Sequence, residues 1–149
     1  MATVDYRRDS ATADDVRAHL ARCDEDFAPP LSARVDLEDY AAKLATRATR
    51  FEAWEGPELV GLVAAYVAAD TPDAFVTNVS VVRELRGQGV AASLVGDCAG
   101  YARAAGATAL KLEVATADKA AGRFYEKLGF APAGLGTSER RTTTLTLEL

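Results

Sequence analysis

Residues 74–115 set the topology of this chain. "AFVTNVSVV" is rich in β-branched residues and almost free of charge, so it reads as a central strand. The charged residues Arg83–Arg86 and the pair Gly87 and Gly89 follow it. "GVAASLVGDCAGYARAAG" then has helical character and ends at Gly106, and "ALKLEVA" reads as a further strand. Two strands joined through a helix cross over and run parallel. The expectation is a mixed α/β or α+β chain.

The flanks fit that class. "TVDYRRD" reads as a first strand. Ser10 or Thr12 can cap a helix through Asp14, Val16, His19 and Leu20. Pro29 and Pro30 stop helix formation, and Asp36 can cap "LEDYAAKLATRA". "RFEAWEGPELVGLVAAYVAAD" reads as a hairpin turning at Glu55-Gly56-Pro57-Glu58. "DKAAGRFYEKLG" reads as a helix with Gly129 at its C-cap. "RRTTTLTLEL" alternates like a half-buried strand, able to pair across a homodimer or to close its own sheet. A length of 149 residues suits one domain over 1–149.

Composition excludes several functions. The net charge of −5 argues against bulk nucleic-acid binding, which needs clustered cations. No apolar run reaches the length of a membrane span. Cys23, Cys98 and the lone His19 have no metal-ligand spacing, so no metal is expected. The cysteines read as reduced and packed. With no secretory signal in "MATVDYRRDSATADD", the expected location is cytoplasmic.

The glycine turn admits two ligand readings. Gly87-x-Gly89-x-x-Ala92 fits the dinucleotide fingerprint, with Glu113 about 20 residues on, where an acid belongs. Against it, Arg83–Arg86 separate the strand from the first glycine, and the unit begins halfway along the chain. Only 36 residues follow Glu113. A P-loop is excluded because no Gly-Lys-Ser/Thr follows. In the second reading, Arg86-x-x-Gly89-x-Ala91 brings an anionic ligand close to the free N–H groups of a helix start, where a pyrophosphate sits well. The plain alternative is a helix-start turn whose glycines serve packing.

"NVSVVRELRGQGVAASLV" resembles the acetyl-coenzyme A (acetyl-CoA) signature of the GCN5-related N-acetyltransferases, the GNAT family. "LEVATADKAAGRFYEKLGF", residues 112–130, resembles that family's second signature in the right place downstream. The resemblance covers residues 51–134. It implies a mixed, mostly antiparallel central sheet with helices on both faces and one splayed parallel strand pair. It gives the backbone of Val79, Ser80 and Val81 to the pantetheine arm. The turn Arg86, Gly87, Gln88, Gly89, Val90, Ala91 and Ala92 takes the pyrophosphate. Tyr125 lies near the cofactor sulfur and protonates the departing thiolate, although Phe124, Tyr125 and Leu128 also suit simple packing. Asp118 stands where family members usually have Asn. It can cap a helix from Lys119, but an ionised carboxylate gives the cofactor no donor. Gly122 is a second departure, since an apolar residue is common there.

Acetyl transfer needs a neutral amine, a polarised carbonyl and a protonated thiolate. The resemblance gives carbonyl polarisation to a backbone N–H near Val81. Glu113 is the candidate base, in a mostly apolar strand where desolvation would raise its pKa. It stands five residues before Asp118 and twelve before Tyr125, a spacing similar to that of ribosomal-protein N-terminal acetyltransferases. The alternatives are a solvated carboxylate, one paired with Lys111 or Arg123, and deprotonation through a water chain. Phe27, Arg34, Tyr40, Tyr66 and Asn78 are the expected acceptor-binding residues. "FAPPLSARVDLEDY" and "TNVSV" resemble a bacterial subgroup associated with surface-polysaccharide or amino-sugar metabolism. The expected function is acetyl-CoA-dependent N-acetylation of a small primary amine, amino sugars included. A protein or peptide N-terminal acetyltransferase and a non-catalytic acyl-CoA sensor are the alternatives.

Overall fold

The computed structural model describes residues 3–27, 29–135 and 142–149. Its elements run β1 (Asp5–Arg8), α1 (Ala13–Cys23), α2 (Leu37–Arg47), β2 (Thr49–Glu55), β3 (Glu58–Tyr66) and β4 (Asp73–Val81). Then come α3 (Val90–Ala104), β5 (Ala109–Ala115), α4 (Lys119–Lys127), β6 (Ala131–Leu135) and β7 (Thr142–Glu148). The strand order is β1-β2-β3-β4-β5-β7-β6. Most pairs are antiparallel. The expected crossover makes β4 and β5 the parallel pair, from Asp73↔Ala109 to Phe75↔Lys111. Two compact units share β4 and α3, one with residues 1–66 and 77–98 and the other with 67–76 and 99–149.

In the first unit, Thr12 rather than Ser10 caps α1. It accepts from the Asp15 amide while its own amide donates to the Asp15 carboxylate, a capping box. Val16, His19, Leu20 and Cys23 form the buried face of α1. Asp36 caps α2 as expected, accepting from the Asp39 amide at 3.0 Å. Leu20, Leu44, Leu62, Ala64 and Trp54 close the core between these helices and the sheet. The opposite sheet face receives α3. At Gly61 a Cβ would meet Val90 Cγ1 at 3.0 Å and Leu94 Cδ1 at 3.2 Å, so glycine sets how closely α3 lies. Helices therefore cover both faces of this part of the sheet, as expected.

One buried ion pair ties the unit together. Glu52 accepts from the amides of Ser10 and Ala11, both at 3.0 Å, and from the Trp54 indole at 3.1 Å. Arg50 lies 3.4 Å from Glu52 and donates to the carbonyls of Leu44, Ala45 and Ala48, which end α2, and to that of Ala11. Two charges that would be costly to bury alone thus lie side by side as an ion pair, and each bonds the backbone at a helix end.

In the second unit, β7 pairs with β5 from Ala109↔Glu148 to Ala115↔Thr142, and with β6 on its other side. Both edges of β7 are occupied, so it closes its own sheet. Of the two expected arrangements for this strand, closing its own sheet is the one the structure has. Arg140 and Arg141 of that expected strand lie outside the described residues. Asp118 caps α4, accepting from the Ala121 amide at 3.1 Å. Gly129, at φ 101°, ends the helix, and the Phe130 amide donates back to the Tyr125 carbonyl at 3.0 Å.

Candidate active site

The expected site residues fall into two groups, one in each unit. In the first unit, β4 leads through a short turn, Arg83–Leu85, into the glycine loop and the start of α3. Gly87 and Gly89 have φ 79° and 83°, the left-handed region, and a Cβ at either would meet nothing within 4 Å. The glycines thus serve conformation rather than internal packing. Gly87, Gln88 and Gly89 are exposed, Ala91 and Ala92 are half-buried, and Val90 is anchored in the core. The first amide to bond back along the helix is that of Ser93, to the Gly89 carbonyl at 3.0 Å. The N–H groups before it form an open helix start with positive partial charge. This loop fits a pyrophosphate.

Arg86 is exposed, and its guanidinium pairs with the Asp26 carboxylate, which also takes Arg83 at 3.0 Å. Burial pushes the Asp26 carboxyl upward, and the two arginines outweigh it, holding the group below its usual range. Gln88 Nε2 donates to the Glu84 carbonyl at 3.2 Å. Arg22 bonds Glu84 at 2.6 Å and Glu58 at 3.3 Å. The loop's side chains are thus tied to α1 and the turn after it, which leaves its backbone as the open face.

Along β4 the buried positions are Ala74, Val76, Asn78, Ser80 and Val81, while Val79 is half-buried. The polar Asn78 and Ser80 therefore point into the interior. Ser80 Oγ lies 2.9 Å from Asn78 Oδ1 and 2.9 Å from His19 Nε2. Asn78 is committed inside the protein rather than displayed. Sequence reading missed His19. Its one signal was its place on the inner face of α1, in step with Val16, Leu20 and Cys23.

The expected acceptor residues also lie in this unit. Phe27, Tyr40 and Tyr66 pack half-buried against the α1–α2 core. The Tyr40 hydroxyl is 3.4 Å from both the carbonyl and the hydroxyl of Thr77, at the long limit of hydrogen bonding. Lys43 Nζ lies 5.9 Å from the Tyr66 ring centroid. Among the described residues the buried Tyr66 hydroxyl has no hydrogen-bond partner. Arg34 is exposed.

The second unit carries Glu113, Asp118 and Tyr125. Tyr125 is 7% exposed and meets Phe124 and Phe130 edge-on, with centroids 5.0 and 5.6 Å away. Burial, with the Asp118 carboxylate behind it, pushes its phenol up to about 12. The hydroxyl therefore stays protonated at neutral pH. Glu113 is exposed, opposite Thr144 on β7. The burial expected of Glu113 is missing, because Leu110 and Leu112 occupy the inward positions of β5. Of its two suggested partners, Lys111 binds Asp73 instead, at 2.9 Å. Among the described residues no group of histidines, cysteines and acids could hold a metal, and no helix is long and apolar enough to cross a membrane.

Comparison with known proteins fits this arrangement. The profile of the Acetyltransferase (GNAT) family matches residues 13–130, most of the chain. A Desulfovibrio desulfuricans protein assigned to the GNAT family superposes with a TM-score of 0.80 at 20% identity, over 98% of this chain and 99% of that one. The ribosomal-protein-S18-alanine N-acetyltransferase of Escherichia coli gives 0.73 at 21% identity, over 99% and 94%. A Bacillus subtilis acetyltransferase solved in complex with CoA gives 0.74 at 18% identity, over 99% of each chain. No match is found among the curated proteins. At these identities the superpositions speak for the fold, and the family rests on the profile, whose span takes in the glycine loop, β5 and α4. The chain belongs to the GNAT family, acetyltransferases that use acetyl-CoA as donor.

Proposed function

We propose that this acetyltransferase acylates the primary amine of a small polar molecule, amino sugars being the foremost class. The observation that carries the reading is the set of three aromatic side chains, Phe27, Tyr40 and Tyr66, half-buried against the α1–α2 core. The aromatic bodies are fixed on the core, yet Tyr66 holds a buried hydroxyl with no partner among the described residues. A buried hydroxyl left unpaired costs about 1–3 kcal/mol, so a ligand whose binding shifts the side chains covering it and pairs with it gains affinity and orientation.

Each chemical need has a candidate in the chain. Bound acetyl-CoA supplies the thioester carbonyl that the amine attacks. The amides of the Gly87–Ala92 loop hold the pyrophosphate, and the backbone of Val79–Val81 holds the pantetheine arm. The Val81 amide polarises the carbonyl oxygen. Tyr125, kept protonated by its burial, gives its hydroxyl proton to the thiolate. Glu113, solvated on β5, accepts the amine proton directly or through water. Asp118 keeps the capping part of its family role only, since its carboxylate accepts from α4 and offers no donor.

Peptide N-termini are the second reading, favoured by the Glu113–Asp118–Tyr125 spacing. Thiol release with acetyl-CoA, measured against amino sugars, other small primary amines and short peptides, decides between them. The expected result is a higher kcat/KM on a small amine than on any peptide. Tyr66→Phe should raise the acceptor KM about fivefold, the effect of one lost hydrogen bond, with the KM for acetyl-CoA unchanged. Preference for peptides would replace this reading with the second.

A further inference from the structure

A buried chain of three polar side chains joins α1 to β4. His19 is 2% exposed; its Nδ1 lies 3.1 Å from the Leu59 carbonyl oxygen and its Nε2 2.9 Å from Ser80 Oγ. Ser80 Oγ is also 2.9 Å from the Asn78 side-chain amide, at the Oδ1 position. Ser80 and Asn78 are 7% and 5% exposed. The parallel ladder holds β4 only at Asp73–Phe75. The stretch the functional reading gives to acetyl-CoA, Val79–Val81, is the stretch this chain of side chains anchors.

Counting protons orders the chain. A carbonyl only accepts, so Nδ1 must donate to Leu59. If the ring is neutral, Nε2 only accepts, and the single Ser80 proton goes to it. Ser80 then has nothing to give Asn78, and Asn78 must turn its amide so that Nδ2 donates to Ser80. If the ring is cationic, both nitrogens donate, and Ser80 donates on to Asn78 Oδ1. The two arrangements run in opposite directions and orient the Asn78 amide oppositely.

The surroundings choose between them. Among the described residues the charged and titratable neighbours are Cys23, whose Sγ is 3.9 Å from Nε2, and Arg22. Burial pushes the Cys23 thiol up to about 11, so it carries no charge, and Arg22 opposes a second cation. Neither compensates a buried imidazolium. Burial, the largest cause, pulls His19 down to about 4.

We propose that neutral His19, in its Nδ1–H tautomer, is a positioning residue for acetyl transfer. It orients Ser80 and, through Ser80, Asn78, and so fixes the backbone of β4 over residues 78–81. This rests on the placement of acetyl-CoA along that backbone.

His19 is the one histidine of the chain, so nitrogen-15 NMR reads its ring without overlap. At pH 7 the full-length protein should show a protonated Nδ1 and a bare Nε2. A cation or the opposite tautomer overturns the proton order. Kinetics read the role. Ser80→Ala and His19→Phe, each checked for folding, should raise the KM for acetyl-CoA about fivefold, as for one lost hydrogen bond, with the acceptor KM unmoved. The double variant should be no worse than the worse single one, because both break one chain. An unchanged KM in Ser80→Ala, or single effects that multiply, overturns the role. Gly89→Ala keeps the two levels apart. If it weakens acetyl-CoA binding while Ser80→Ala does not, only the role of His19 fails; if neither does, the cofactor placement fails.

Discussion

At the scale of single residues, Tyr125 does two jobs that a substitution can separate. Its ring fills the gap between Phe124 and Phe130, and its hydroxyl is the proposed acid. Tyr125→Phe keeps the first and removes the second. Turnover should fall about 10²-fold with acetyl-CoA affinity nearly unchanged, by kinetics and calorimetry. Because the phenol lies near 12, the wild-type rate should show no alkaline loss from Tyr125 below about pH 11. Glu113→Gln tests the base. If Glu113 takes the proton, the mutant loses the acidic limb of the rate–pH profile. A limb that survives and follows the pKa of the acceptor amine assigns deprotonation to water. Gly89 belongs here too. Open space surrounds its missing Cβ, so the left-handed backbone is the constraint inside the protein, and Gly89→Ala is the mild probe. It should cost about 1–2 kcal/mol of stability in urea melts and weaken acetyl-CoA binding as well.

At the scale of elements, much was readable and some was not, for physical reasons. The hairpin turn at Gly56, the caps Asp36 and Asp118, and the stop at Gly129 are local hydrogen-bond chemistry, and each falls where the residues say. The glycine loop was readable because its backbone must enter the left-handed region twice. The end of the chain was readable only as one or two strands, because Pro132 and Gly134 obscure β6, which is held by its pairing with β7. The exposure of Glu113 follows from the alternation of Leu110 and Leu112, a parity the apolar look of β5 obscured. The His19–Ser80 bond spans 61 residues and no local pattern carries it. The same holds for Arg50, which joins the end of α2 to the start of α1. Arg50→Met should destabilise by about 3–5 kcal/mol in denaturant titration, since it strands the buried Glu52 and the carbonyls of α2.

For the molecule as a whole, stability should depend on pH through His19. Unfolded, the imidazole titrates at its ordinary 6.5; folded, it titrates at about 4. Between those values the unfolded chain binds more protons, so stability rises with pH. The contribution is complete above about 6.5 and lost as pH falls toward 4, and amounts to a few kcal/mol at most. Urea melts across that window should show the slope, and His19→Phe should flatten it. The sole tryptophan adds a practical consequence. Trp54 is buried, its indole bound to Glu52 and its ring faced by Arg7 at 5.1 Å, all inside one unit. Its fluorescence is therefore a private reporter. Emission on heating records the melting of that unit alone, while circular dichroism records α4 and β5–β7 as well. Curves that coincide mean one cooperative transition, and curves that separate mean two units of unequal endurance.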